Sequence, residues 1–179
     1  MDILQRAGHV FAITLYFENI MKDLIILKKY PYLVNHLNRW IVDNELVQLR
    51  KKYATKNFND TLIEEFVSCY YEVLLEIEMV IGEDIKGILN ILRSRRDVIG
   101  HARFDRESDQ LRMTPYSHKR FVELCRFLKI EMRDGDGETI TRTLDEECYK
   151  SLQTANRRLD EKIFFTIAES IGLNYLMIR

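Results

Sequence analysis

Residues 60–103 read DTLIEEFVSCYYEVLLEIEMVIGEDIKGILNILRSRRDVIGHAR. Apolar side chains recur every three or four positions, and no proline interrupts them. That period is the signature of helix. The first half predicts a helix over about 60–81, opened by the turn residues Asn57 to Asp60 with Asn59 or Asp60 as its cap. It is apolar around much of its circumference, which predicts the central, most buried helix. Gly82-Glu83-Asp84 then separates it from a helix that starts near Asp84 and runs to about His101 or Phe104. Ile85, Ile88, Leu89, Leu92 and Ile99 mark the core stripe of that second helix.

The same period extends to both sides. Residues 3–29 carry Ile3, Ala7, Val10, Phe11, Phe17, Ile20, Met21, Leu24 and Ile25 at helical spacing, with Lys22, Asp23, Lys28 and Lys29 expected mainly on the opposite side. Pro31 predicts a break, and a second helical stretch follows through Leu33, Leu37, Trp40, Ile41 and Leu46 to about Tyr53. After Phe104 the texture changes. Residues 104–115 are polar and irregular, and 116–128 read as a short amphipathic helix. Residues 130–142 alternate around Asp134-Gly135-Asp136-Gly137, which predicts a small β-hairpin. A last long helix is expected from Asp145-Glu146-Glu147 to about Ile171, stopped by Gly172.

The fold expected is therefore all-α: an antiparallel helical bundle with a small β-hairpin insertion near 130–142. It is read as one domain, with a core of about 1–104 plus 145–172 and an insertion of about 105–144. The chain's 179 residues are enough for a real core, and 46% hydrophobic with 31% charged residues is globular composition. The start of the sequence does not read as a signal peptide. The most apolar stretch, 66–81, is crossed by Glu72, Glu76 and Glu78, each costly in hydrocarbon. Cys69, Cys125 and Cys148 are odd in number and widely spaced. They read as small buried residues of a reducing compartment, so a cytoplasmic protein without a membrane span is expected.

Most candidate chemistry falls away on spacing. The Asp134–Glu138 run lacks the later ligands of a calcium loop. His9, His36 and His118 have no partner at metal-ligand spacing and read as surface or packing residues. Glu72 and Glu76 share a helix face with no Glu-x-x-His partner elsewhere, so they read as a solvated or interface face rather than a di-iron site. No cofactor and no metal is expected.

The exception is Arg93-Ser94-Arg95-Arg96-Asp97-Val98-Ile99-Gly100-His101-Ala102-Arg103. Five arginines lie between 93 and 106 in a chain of net charge −1. Arg95 and Arg96 fall where the apolar stripe should continue, so a guanidinium there must be paired, reach solvent or face another subunit. Asp97 and His101 are four apart, a spacing at which a carboxylate can orient an imidazole.

Arg96-Asp97-Val98-Ile99-Gly100-His101 resembles the Arg-polar-x3-His motif of the HEPN superfamily, the helical ribonucleases and nucleotide-binding domains of bacterial defence and toxin systems. The likeness covers about 20 residues around this motif and implies a metal-independent endoribonuclease. In such an enzyme the RNA 2′-OH attacks the adjacent phosphorus and leaves a 2′,3′-cyclic phosphate. His101 would act on the 2′-OH or the leaving oxygen, and Arg96 would hold the phosphate. Asp97 would orient either of them, and Arg93, Arg95 and Arg103 would guide the RNA backbone. Residues five apart on a regular helix diverge by about 140°. HEPN enzymes resolve this with a composite site across a homodimer's two-fold axis. The resemblance further implies a toxin or antiviral effector kept silent by an antitoxin or regulatory protein. The alternative is a non-catalytic helical bundle that binds a protein or nucleotide.

Overall fold

The computed structural model describes residues 2–100, 102–105, 110–113 and 146–179, and these are mostly helical. In chain order the helices are α1 (Ile3–Lys29), α2 (Tyr32–Asn38), α3 (Asn44–Ala54), α4 (Asp60–Cys69), α5 (Tyr71–Ile81) and α6 (Ile85–Gly100). Strands β1 (Ala102–Asp105) and β2 (Gln110–Met113) follow, then α7 (Glu146–Arg158), a π-helical segment (Leu159–Phe164), α8 (Phe165–Ser170) and a short 3-10 turn (Tyr175–Met177). No helix among the described residues is long and apolar enough to cross a membrane. The hairpin expected at 130–142 and the helix expected at 116–128 lie outside the described residues.

Packing divides the chain into two compact units. One comprises Met1–Thr14 with Asn90–Asn156, the other Leu15–Leu89 with Arg157–Arg179.

The second unit is built around the latter part of α1. Met21, Leu24, Ile25 and Ile26 are wholly buried and Leu27 nearly so, so this stretch is covered on every side. Lys22 and Asp23 are therefore not on a solvent face, whereas Lys28 and Lys29 at the end of the helix are exposed, as expected. Lys22 is buried and pairs at 2.6 Å with Glu18 one turn earlier, also buried. Arg50 clasps Asp23 through Nε at 2.9 Å and Nη2 at 2.5 Å. Burial raises the Asp23 carboxyl against the opposing pull of that guanidinium. Lys29 and Lys56 converge on Glu65, which also accepts the Tyr53 hydroxyl at 3.0 Å. Desolvation works against ionisation there, but the bonds from Lys29, Lys56 and Tyr53 outweigh it and hold Glu65 down at about 2.

Two expected helices are each divided. The stretch read as one helix over 60–81 breaks at Tyr70 (φ −125°, ψ 23°), whose ring is buried and whose hydroxyl donates to the Leu24 carbonyl at 2.6 Å. That central, buried place is taken by the latter part of α1, while α5 leaves a broad face in solvent.

The stretch read as continuous to Tyr53 stops after Asn38. Ile41 N–H bonds the His36 carbonyl at 2.9 Å and Trp40 N–H bonds the Leu37 carbonyl at 2.8 Å, which is the Schellman closure of a helix end. The left-handed position of that closure is filled by Trp40 at φ 59°. Asp43 then caps α3 by accepting from the Glu45 and Leu46 amides, and its other oxygen lies 2.6 Å from His36 Nδ1.

Other boundaries fall where expected. The residue before Pro31 leaves α1, and Asn59 caps α4 by accepting from the Leu62 amide at 3.1 Å. Gly82 (φ 68°) ends α5, and Gly172 (φ 70°) follows the last helical run. That run is not uniform, since the π-helical segment widens it between α7 and α8. Tyr175 and Arg179 close the chain end onto Asp160 of that segment. Cys69 is half-buried and free rather than packed inside.

Candidate functional site

The arginine segment lies at the end of α6. This helix begins with its Ile85 amide donating to Glu78 Oε1 at 2.9 Å. Gly87 lets Asp84 fold over the first turn, where a Cβ would come within 2.8 Å of the Asp84 carboxylate. Ile85, Leu89 and Leu92 are buried, and Ile91 joins them. At about 100° per residue, Arg96 falls within about 20° of Ile85 around the helix. It thus continues the line of Ile85, Leu89 and Leu92, and it is half-buried. Arg93, one turn earlier, is also half-buried, with its Nε withdrawn from solvent. A guanidinium is a planar fork of donors, a shape that matches a phosphate.

The helix ends at Gly100, short of the His101 or Phe104 expected from sequence, because the ladder of β1 takes over at Ala102. Arg95 and Asp97 are backbone positions on α6, and Arg103 is one in β1. His101 lies outside the described residues. The structure therefore brings Arg93 and Arg96 together on one helix end, and the pairing of Asp97 with His101 stays an expectation.

Two features were not foreseen. Residues 102–105 and 110–113, within a stretch read as helix end and irregular polar chain, form an antiparallel ladder with Ala102 opposite Met113 and Phe104 opposite Leu111. Apolar positions meet apolar ones, a period-two signal that is short here and easily lost beside the helical pattern. The same register sets Arg103 opposite Arg112.

The second feature is a polar cluster in the unit that also contains Arg93 and Arg96. His9 Nδ1 of α1 is hydrogen-bonded to the Tyr149 hydroxyl of α7, and Gln153 Nε2 donates to that hydroxyl at 3.0 Å. Nearby in sequence, the buried side-chain oxygen of Asn156 has no hydrogen-bond partner. His9 is thus held in place rather than loose on the surface. An imidazole fixed by a phenol is chemically able to move a proton. No local spacing announces the pair, because its members are 140 residues apart.

Among the described residues, no group of three or more His, Cys, Asp or Glu side chains is placed to hold a metal ion. No family model, curated protein or solved structure matches the chain.

Proposed function

We propose that this protein is a metal-independent endoribonuclease of the HEPN type, acting as a homodimer through Arg96 and His101. One observation carries the reading. Arg96 lies in line with the buried Ile85, Leu89 and Leu92 at the end of α6, yet it remains partly open. A partly open arginine at that place can present its forked donors to an RNA phosphate while its stem follows the apolar line of the helix.

The chemistry follows from the residue types. The ribose 2′-OH attacks the neighbouring phosphorus as His101 takes its proton or protonates the departing 5′-oxygen. The forked donors of Arg96 hold the charge that develops on the phosphate. Asp97 orients one of these two groups. Arg93, Arg95 and Arg103 lead the RNA backbone toward them. Arg112 is added to that set, since the ladder register pairs its backbone position with that of Arg103. The biological setting proposed is a cytoplasmic toxin or defence effector, held silent by an antitoxin or regulatory protein.

The test of the chemistry is substrate-based. An RNA oligonucleotide should be cut in EDTA to fragments ending in a 2′,3′-cyclic phosphate and beginning with a 5′-OH. A 2′-deoxy substitution at the cut position should abolish that cut, because the nucleophile is gone. Cutting that survives the deoxy substitution would refute the mechanism. His9→Ala should retain cleavage, and its loss of activity in a folded protein would move the acid-base role to the His9–Tyr149 pair.

A further inference from the structure

The stripe Tyr71, Leu75, Met79 on α5 has no place in the proposed cleavage site. These residues are spaced by four, so they form one row along the helix. Tyr71 is 59% exposed and Met79 78%, with Leu75 also open. Val80 extends the apolar surface at the helix end, at 85% exposure. The opposite side of α5 is buried through Leu74 and Ile77 and packs against α8 and the π-helical segment. The open row is therefore not a frayed helix but the outer side of a well-anchored one.

Glu72 and Glu76 form the adjoining row, and both are exposed. Helix α5 contains three glutamates and no lysine, arginine or histidine. Glu78 is turned to the start of α6, where it accepts the Ile85 amide. Glu72 and Glu76 make no ion pair among the described residues. The face is thus an apolar row edged by uncompensated negative charge.

That charge pattern selects the occupant. Two copies of α5 laid against each other would bring acids to acids, which is destabilising. A helix with an apolar stripe edged by lysine or arginine would bury the row of Tyr71, Leu75 and Met79 and neutralise Glu72 and Glu76 together. We infer that α5 is a docking face for a basic amphipathic helix of a partner protein. This inference stands independently of the RNA-cleavage reading, since it uses no residue of that site.

The test uses the full chain and a designed probe, an 18-residue helical peptide with leucine on one face and lysine elsewhere. Binding is read from the methionine methyl resonances of protein carrying 13C-methyl methionine. Six methionines give few signals, and Met79→Leu assigns the one needed. The Met79 resonance should shift on titration with the lysine peptide and stay still with a glutamate version of it. Glu72→Lys with Glu76→Lys should weaken binding about tenfold, as expected for reversing two charges at the rim of an interface. Both substituted positions are exposed, so the fold should persist, and circular dichroism checks this. Binding that leaves Met79 unmoved, binding indifferent to the double substitution, or no binding would overturn the inference. Self-association of the wild type that is lost in Met79→Asp would assign the face to a second copy and overturn it equally.

Discussion

Trp40 offers a stability test whose magnitude can be worked from the backbone. It occupies the left-handed position of the Schellman closure after α2, at φ 59°, where glycine is the usual residue. Its side chain is 80% exposed, and Val42 beyond it is 85% exposed. Two variants, Trp40→Gly and Trp40→Ala, both discard the indole, so whatever contacts it makes cancel between them. What differs is the Cβ. In the left-handed region an L-residue's Cβ crowds the following carbonyl oxygen, at a cost of about 1–2 kcal/mol. Glycine avoids that cost but loses about 0.4–1 kcal/mol more through the freedom of its unfolded chain. Taken at the middle of each range, the difference leaves Trp40→Gly more stable than Trp40→Ala by about 0.8 kcal/mol. For a chain of this length that corresponds to about 1–4 °C in Tm. Urea unfolding followed by far-ultraviolet circular dichroism resolves such a gap if both variants share one m-value. An alanine variant as stable as the glycine variant, or more so, would show that residue 40 does not adopt the left-handed conformation and that α2 ends differently.

Two further outcomes follow from the packing of α1. Tyr70→Phe removes the hydroxyl that reaches the Leu24 carbonyl in the buried core, so stability in urea should fall by about 1 kcal/mol; an unchanged midpoint would mean that this bond contributes nothing. Glu65 is held down from 4.5 to about 2 in the folded protein, chiefly by its bonds to Lys29, Lys56 and Tyr53. A depressed carboxylate contributes stability above its unfolded value that is lost as pH falls through the folded one. Stability should therefore drop between about pH 4.5 and 2, and the Glu65→Gln variant should show a shallower drop when unfolding is followed across that range.

The elements legible in the sequence are those with local punctuation. Pro31, Asn59, Gly82 and Gly172 each mark a boundary by their own backbone or side-chain chemistry, and each boundary is found. The core stripe Ile85, Leu89, Leu92 was legible for the same reason, as a period that needs no partner to be seen. The breaks at Tyr70 and Trp40 were not. Neither residue is a breaker, and at Tyr70 the contact on the page is a tertiary one, a hydroxyl bonded to a carbonyl 46 residues away. Lys22 was misplaced on the solvent side because a buried ion pair looks, in sequence, like any polar position. The His9–Tyr149 contact and the Arg103–Arg112 register depend on chain segments that meet only on folding. At the candidate site, the arginine-rich helix end and the place of Arg96 on the apolar stripe were both readable from spacing.

The most direct test of the central claim is cleavage of labelled RNA in EDTA by three proteins, the wild type, Arg96→Ala and His101→Ala, each confirmed folded. The account predicts cutting to cyclic-phosphate ends by the wild type and loss of at least a hundredfold in either variant, in keeping with the removal of an acid-base group or an oxyanion donor at about 10²-fold or more. Equal cutting by all three, or none by a folded, dimeric wild type, would contradict it.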